Sequence, residues 1–196
     1  MSQGQPQQDV TDVLFNARQT TNLIYILAAG HATCFTVFMR HSFGTNALGR
    51  NGVVALLMIL FYIAGTEDPR MLLFLWVWLA ALVYQRLRTF RLWRKGHVWH
   101  SRYDGYPALG MKLPFTKTEG AARINEILIC FLAATAFAPW CESMAVFLML
   151  GMVSLFIVRG FDMQILSNRV RSMKDAAIEQ QFLAALHRGE LDVNDF

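Results

Sequence analysis

The sequence predicts an all-α integral membrane protein, with two short transmembrane helical hairpins, an N-terminal membrane helix and an amphipathic cytoplasmic C-terminal helix. Three observations carry that expectation. Only 16% of the 196 residues are charged while 55% are hydrophobic, where an ordinary soluble domain carries about 25% charged residues. The apolar residues fall in five blocks. Lys and Arg crowd the segment between the third and fourth blocks and the segment after the fifth, and avoid two short turns. The same composition excludes a disordered chain, because 15 Phe and 5 Trp do not belong in a solvated tail. It also excludes a disulfide framework, since the 3 Cys, at positions 34, 130 and 141, are odd in number and far apart.

Residues 1–22 read as a polar N-terminal tail, Gln-rich and disordered to about Asp9, without the basic and apolar regions of a cleavable signal. The first block covers 23–39, with His31 near its middle. Apolar residues occupy all its faces, which favours a spanning helix over one lying in the interface. Spanning gives five crossings, lying in the interface gives four. The remaining segments are 47–65, 70–84, 124–138 and 144–158. Their strictly apolar stretches reach only about 21–23 Å at 1.5 Å per residue, against a hydrocarbon core of roughly 30 Å. They must borrow flanking residues or thin the bilayer.

The turns explain why these segments read as hairpins. Pro69 suits the first turn of the third segment, with Thr66 or Asp68 as its cap. Pro139 stops the fourth segment, Ser143 is placed to cap the fifth, and Trp140 reads as an interfacial anchor. Cys141 falls in that outer turn, where an intermolecular disulfide is one reading.

Orientation follows from basic residues. Nine lie between 85 and 123: Arg86, Arg88, Arg91, Arg94, Lys95, Arg102, Lys112, Lys117 and Arg123. The two turns share only Arg70. Positive-inside logic therefore places the 85–123 loop and the C-terminus in the cytoplasm of a multi-pass cell-membrane protein. The third helix is expected to continue to about Lys95, carrying Val83, Leu87 and Phe90 on one stripe. Beyond 158, Met163, Leu166, Val170, Met173 and Ala177 recur at helical spacing, followed by an acidic end. Such a stripe suits either a solvated amphipathic helix or helix-in-groove docking to a soluble partner.

Small residues let backbones approach where lipid does not drive association. Gly30, Cys34, Cys130, Ala134, Ala138 and Gly151 are the expected helix-packing positions. His31 is a candidate intramembrane polar site, a proton relay or ligand contact in its functional reading and a His bonded to a neighbouring helix in the plainer one. Glu126 reads as an anchor paired with Arg123 three residues earlier. Arg86, Arg88, Arg91, Arg94, Lys95 and Arg102 are the expected contacts for anionic lipid or for a partner. Nucleic acid is disfavoured, because no recognition motif accompanies these charges. His97, His100 and Asp104 have metal-ligand types but too few companions for a transition-metal site. His100, Ser101 and Asp104 have the types of a nucleophile, base and orienter, yet adjacency is not triad geometry. No motif calls for a cofactor.

The expectation is a non-enzymatic membrane scaffold or accessory subunit of a larger membrane assembly, such as a secretion or transfer apparatus, with other membrane subunits and lipids as partners. A small oligomeric channel or transporter is the alternative. It would draw its polar pathway from His31, Thr33, Thr36 and Ser154. A membrane enzyme using the His97/His100 loop comes third.

Overall fold

The structure is a computed structural model that describes residues 10–44, 48–97, 103–114 and 116–188. The described residues are helical, apart from turns and one isolated antiparallel bridge between His41 and Tyr106. In order the helices are α1 (Val10–Met39), α2 (Arg50–Thr66), α3 (Arg70–Arg94), α4 (Ala108–Met111), α5 (Glu119–Phe137) and α6 (Glu142–His187). Four are long and apolar enough to cross a membrane: α1 from Gln19 onward, α3, α5 and α6. The apolar α2 has 17 residues, which sits at the lower limit of about 17 for a crossing helix.

The helices outrun the apolar blocks because their flanks carry helix formers and caps. Residues 10–22 of the polar tail belong to α1, while 1–9 lie outside the described residues. α3 ends at Arg94, within a residue of the expected Lys95. α5 begins five residues before the apolar block at 124, since Thr118 accepts a hydrogen bond from the Ala121 N–H at 3.2 Å and caps the helix. Ser143 lies inside the first turn of α6 rather than at its cap. Asp68 does serve the start of α3, its Oδ1 accepting from the Arg70 N–H at 3.0 Å, whereas the Thr66 hydroxyl turns back to the Tyr62 carbonyl.

The chain forms two compact units, Met1–Val158 and Arg159–Phe196. In the first, α1 is central. Of its apolar stretch 61% is buried in the protein, against 22% for those of α3 and α5. A helix that is apolar all round is stable where other helices surround it. Phe35, Ile59, Met71, Trp78, Cys130 and Phe147 form the middle of the core. Two predicted packing glycines mark close approach. A Cβ at Gly30 would collide with Val54 of α2, and one at Gly151 with the Phe35 ring of α1. Cys34 donates towards the Ala55 carbonyl at 3.8 Å, and Cys130 to the Leu148 carbonyl at 3.3 Å, so both act as small, weakly bonding core residues. Ala134 is buried, but Ala138 is exposed. It is the C-cap of α5, still in helical conformation with its N–H bonded to the Ala134 carbonyl, on a side that no other helix covers.

The α2–α3 and α5–α6 turns meet at one end of this unit. Arg70 donates to the Trp140 carbonyl and lies over the Trp140 ring. The Tyr62 hydroxyl donates to the Ser143 carbonyl at 2.8 Å. Cys141 is buried, not presented for an intermolecular disulfide, and its thiol faces the Asp68 carboxylate at 3.4 Å. Hydrogen bonds from the Arg70 N–H, Cys141 and Ser143 hold the Asp68 carboxyl below the usual carboxylate range. In the second unit, residues 159–188 are helical and mostly exposed.

Candidate functional site: a buried polar junction

At the end of the first unit remote from these turns, the last turn of α1 has carbonyls without an intrahelical partner. Two side chains from α3 serve them and the segment beyond. Gln85, to which the sequence assigned no partner, is buried and donates to the Val37 carbonyl at 3.0 Å and the Arg40 carbonyl at 2.8 Å. Thr89, one turn further on, donates to the Gln85 carbonyl at 3.0 Å and approaches that of Phe43 at 3.4 Å.

Arg40 then crosses to α5. Its Nε donates to both carboxylate oxygens of Glu126 at 2.9 Å, and Nη2 donates to Oε2 at 2.6 Å. The Glu126 side chain has no exposed surface and that of Arg40 only 10%. Glu126 is therefore paired with Arg40, not with Arg123; Arg123 binds Glu119 one turn back, at 2.9 Å. Sequence proximity suggested the wrong partner because Glu126 faces inward while Arg123 stands at the protein surface with Glu119. A carboxylate with no exposure needs a charged partner and several hydrogen bonds to offset its lost hydration, and the planar guanidinium supplies both.

The 103–114 segment closes over this pair. Arg40 Nη1 donates to the Asp104 carbonyl at 3.3 Å. His41 and Tyr106 exchange backbone hydrogen bonds of 3.1 and 2.7 Å, and their rings stack at 5.3 Å. Gly105 has φ +87°, and a Cβ there would press on Phe43 and on Arg40, so glycine is required twice over. Asn125 donates to Thr116 Oγ1 at 2.7 Å and to the Gly110 carbonyl at 3.3 Å, fixing α4 beside α5. Burial and the nearby Arg88 charge lower the His41 pKa. Burial and the Glu119 carboxylate raise that of Tyr103.

Arg86 and Arg88 are half-buried along the last turns of α3, while Arg91, Arg94 and Lys95 are exposed. Arg94 also lies over the Phe90 ring. Arg102, His100 and Ser101 fall outside the described residues; His97 is exposed. Among the described residues no three His, Cys, Asp or Glu side chains gather where they would hold a metal ion.

His31 is buried in the core. Its Nδ1 lies 2.8 Å from Ser154 Oγ on α6, with the Phe35 and Phe147 rings edge-on at 5.4 and 4.7 Å. Ser154 Oγ also lies 3.0 Å from the Leu150 carbonyl of its own helix, so the hydroxyl stands between that carbonyl and the imidazole. The His31 Nε2 has no hydrogen-bond partner among the described residues. Thr33 donates to the Ala29 carbonyl of its own helix at 2.7 Å. All four residues of the expected polar pathway are buried.

Gln85, Arg40, Tyr106 and Asn125 are the junction residues the sequence reading missed. Gln85 carried a usable signal, being an uncharged polar residue immediately past the apolar block on a helix that continues. The others carry none, since their roles depend on segments far apart in the chain. Comparison with known proteins finds no matching family model, no similar curated protein and no similar solved structure.

Proposed function

We propose that the chain is a multi-pass membrane scaffold or accessory subunit that presents a docking helix to other subunits. The observation that carries this reading is the apolar stripe on residues 159–188. Met163, Leu166, Val170, Met173 and Ile178 are each between 44% and 68% exposed. An amphipathic helix is stable when its apolar face is covered, and within this unit these side chains are left bare.

Four helices have the length and hydropathy to cross a membrane, which supports the setting. In this reading α2 crosses with them, giving five spans arranged as an N-terminal helix and two hairpins. The polar junction lies among the basic residues at the end of α3, after α4 and at the start of α5, an end that positive-inside logic makes cytoplasmic, together with the C-terminus. The buried charge of the junction is committed to joining α1, α3, α5 and the 103–114 segment, which suits a scaffold. Arg86, Arg88, Arg91, Arg94, Lys95 and Arg102 serve anionic headgroups at the same surface.

The test is purification of the intact protein in mild detergent. A stoichiometric complex with other membrane proteins is expected, and Val170→Glu with Met173→Glu should dissolve it without shifting the thermal unfolding of the protein. A conducting homo-oligomer in liposomes, with no other subunit, would replace this reading with the channel.

A further inference from the structure

One groove in the first unit is lined by carbon and sulfur alone. Phe35 and Phe38 of α1, Phe74 of α3, Ile129 and Ala133 of α5 and Leu148 of α6 form most of its wall, and its volume is about 270 Å³. An apolar cavity of about 150 Å³ already stays dry and takes up benzene, so this one has room for several methylenes. The wall extends from Phe137 and Met144, beside the α5–α6 turn, to Met39 and Leu109, next to the polar junction. Along α5, Ile129 to Phe137 alone spans about 12 Å at 1.5 Å per residue. The groove runs along α5 and is partly open, which suits a hydrocarbon chain better than a compact ring. Phe38, Leu109 and Phe137 on its rim are each 37–39% exposed.

Charge distinguishes its two ends. At the junction end α4 carries Leu109 on the rim, and Lys112 follows one turn later, its N–H bonded to the Leu109 carbonyl at 3.1 Å. Lys112 is exposed. At the other end Glu67, Asp68 and Glu142 stand at the joined turns with Arg70, so acids outnumber the base. A negative headgroup is favoured at the first end and disfavoured at the second.

We propose that this groove is a binding site for one acyl chain of an anionic phospholipid, whose headgroup phosphate is held at Lys112. The proposal rests on the membrane reading above, because only an inserted protein meets such a ligand. The lipid fills a gap that would otherwise cost the wall its contacts. It also ties α5 to α1 and α3 beside the Arg40–Glu126 pair.

The experiment uses the full chain, extracted and delipidated in mild detergent, with lipid counted by native mass spectrometry. Alkaline carbonate washing of the membranes comes first: release of the protein there sinks the membrane reading itself, separately from the lipid site. With the protein retained, wild type should keep one phospholipid and Ala133→Trp, which fills the groove, none. Equal retention would overturn the site. Lys112→Gln should lower the preference for anionic over zwitterionic phospholipid about fivefold, the effect of one charge near the surface. An unchanged preference would overturn the headgroup assignment. Should Ala133→Trp fail to fold, a phospholipid carrying a photoreactive group in its chain decides on the wild type. Adducts at Phe38, Ile129 and Met144 support the site, and adducts spread evenly over Leu57, Phe61 and Trp76 on the outer faces refute it.

Discussion

Glu126 and Arg40 come from positions 86 residues apart and make three hydrogen bonds to each other. Removing one partner leaves a buried charge without compensation, at a cost of about 3–5 kcal/mol. Glu126→Ala should therefore lower the unfolding midpoint in a detergent titration strongly, while Arg40→Met with Glu126→Leu should recover most of the loss. If the double variant were as unstable as the single one, charge pairing would not be the source. His31 and Ser154 follow the same asymmetry on a smaller scale. Ser154→Ala leaves His31 Nδ1 without its partner and should cost about 1–3 kcal/mol, and adding His31→Leu should restore most of it. His41 responds to pH instead. Its folded pKa lies below the ordinary 6.5, through burial and the Arg88 charge. The folded state then binds fewer protons than the unfolded chain below about pH 6.5, so its stability falls as pH drops through that window. Arg88→Gln should raise the His41 pKa, read from the pH dependence of its ring chemical shifts; no movement would remove Arg88 as a cause.

At the level of elements, the joined turns and the packed glycines carry most of the specificity. Asp68 receives hydrogen bonds from the start of α3 and from Cys141 and Ser143 of the other turn. In a chain whose Cys34 and Cys130 are replaced by Ala, Cys141 should react slowly with a maleimide, and Asp68→Ala should accelerate it severalfold. Equal rates would mean the carboxylate does not hold the turns together. Gly151 presses against Phe35 closely enough that no side chain fits. Gly151→Leu should destabilise by about 1–3 kcal/mol through overpacking, whereas Gly160→Leu, with open space at its Cβ position, should be tolerated.

For the whole molecule, orientation is the testable quantity. Single cysteines at Glu67 or Glu142, both exposed at the joined turns, should label with an impermeant thiol reagent in intact cells, on a background without native cysteines. A cysteine at Lys112 should be protected until the cells are opened. External labelling at 112 would invert the orientation, and with it the side of the membrane on which the proposed docking stripe of 159–188 is presented.

Much of this was legible in the chain itself, for a simple reason. Hydropathy and helix periodicity are local, so the apolar blocks, the continuation of α3 along Val83, Leu87 and Phe90, and the close-packing roles of Gly30 and Gly151 can be read from neighbouring residues. Helix ends were read less well. Thr118 starts α5 before its apolar block because a cap depends on one hydrogen bond rather than on hydropathy. Partner choice was not legible at all. Sequence spacing offered Arg123 to Glu126, yet only the folding of α1 against α5 brings Arg40 to that carboxylate and leaves Arg123 to Glu119. Likewise, Cys141 is sheltered because the two turns meet, and Gln85 is a cap because α3 passes the end of α1. The chain alone determined which stretches are helices suited to lipid. The tertiary structure decided which polar side chains meet, because a buried polar group is stable only beside a partner that the fold delivers.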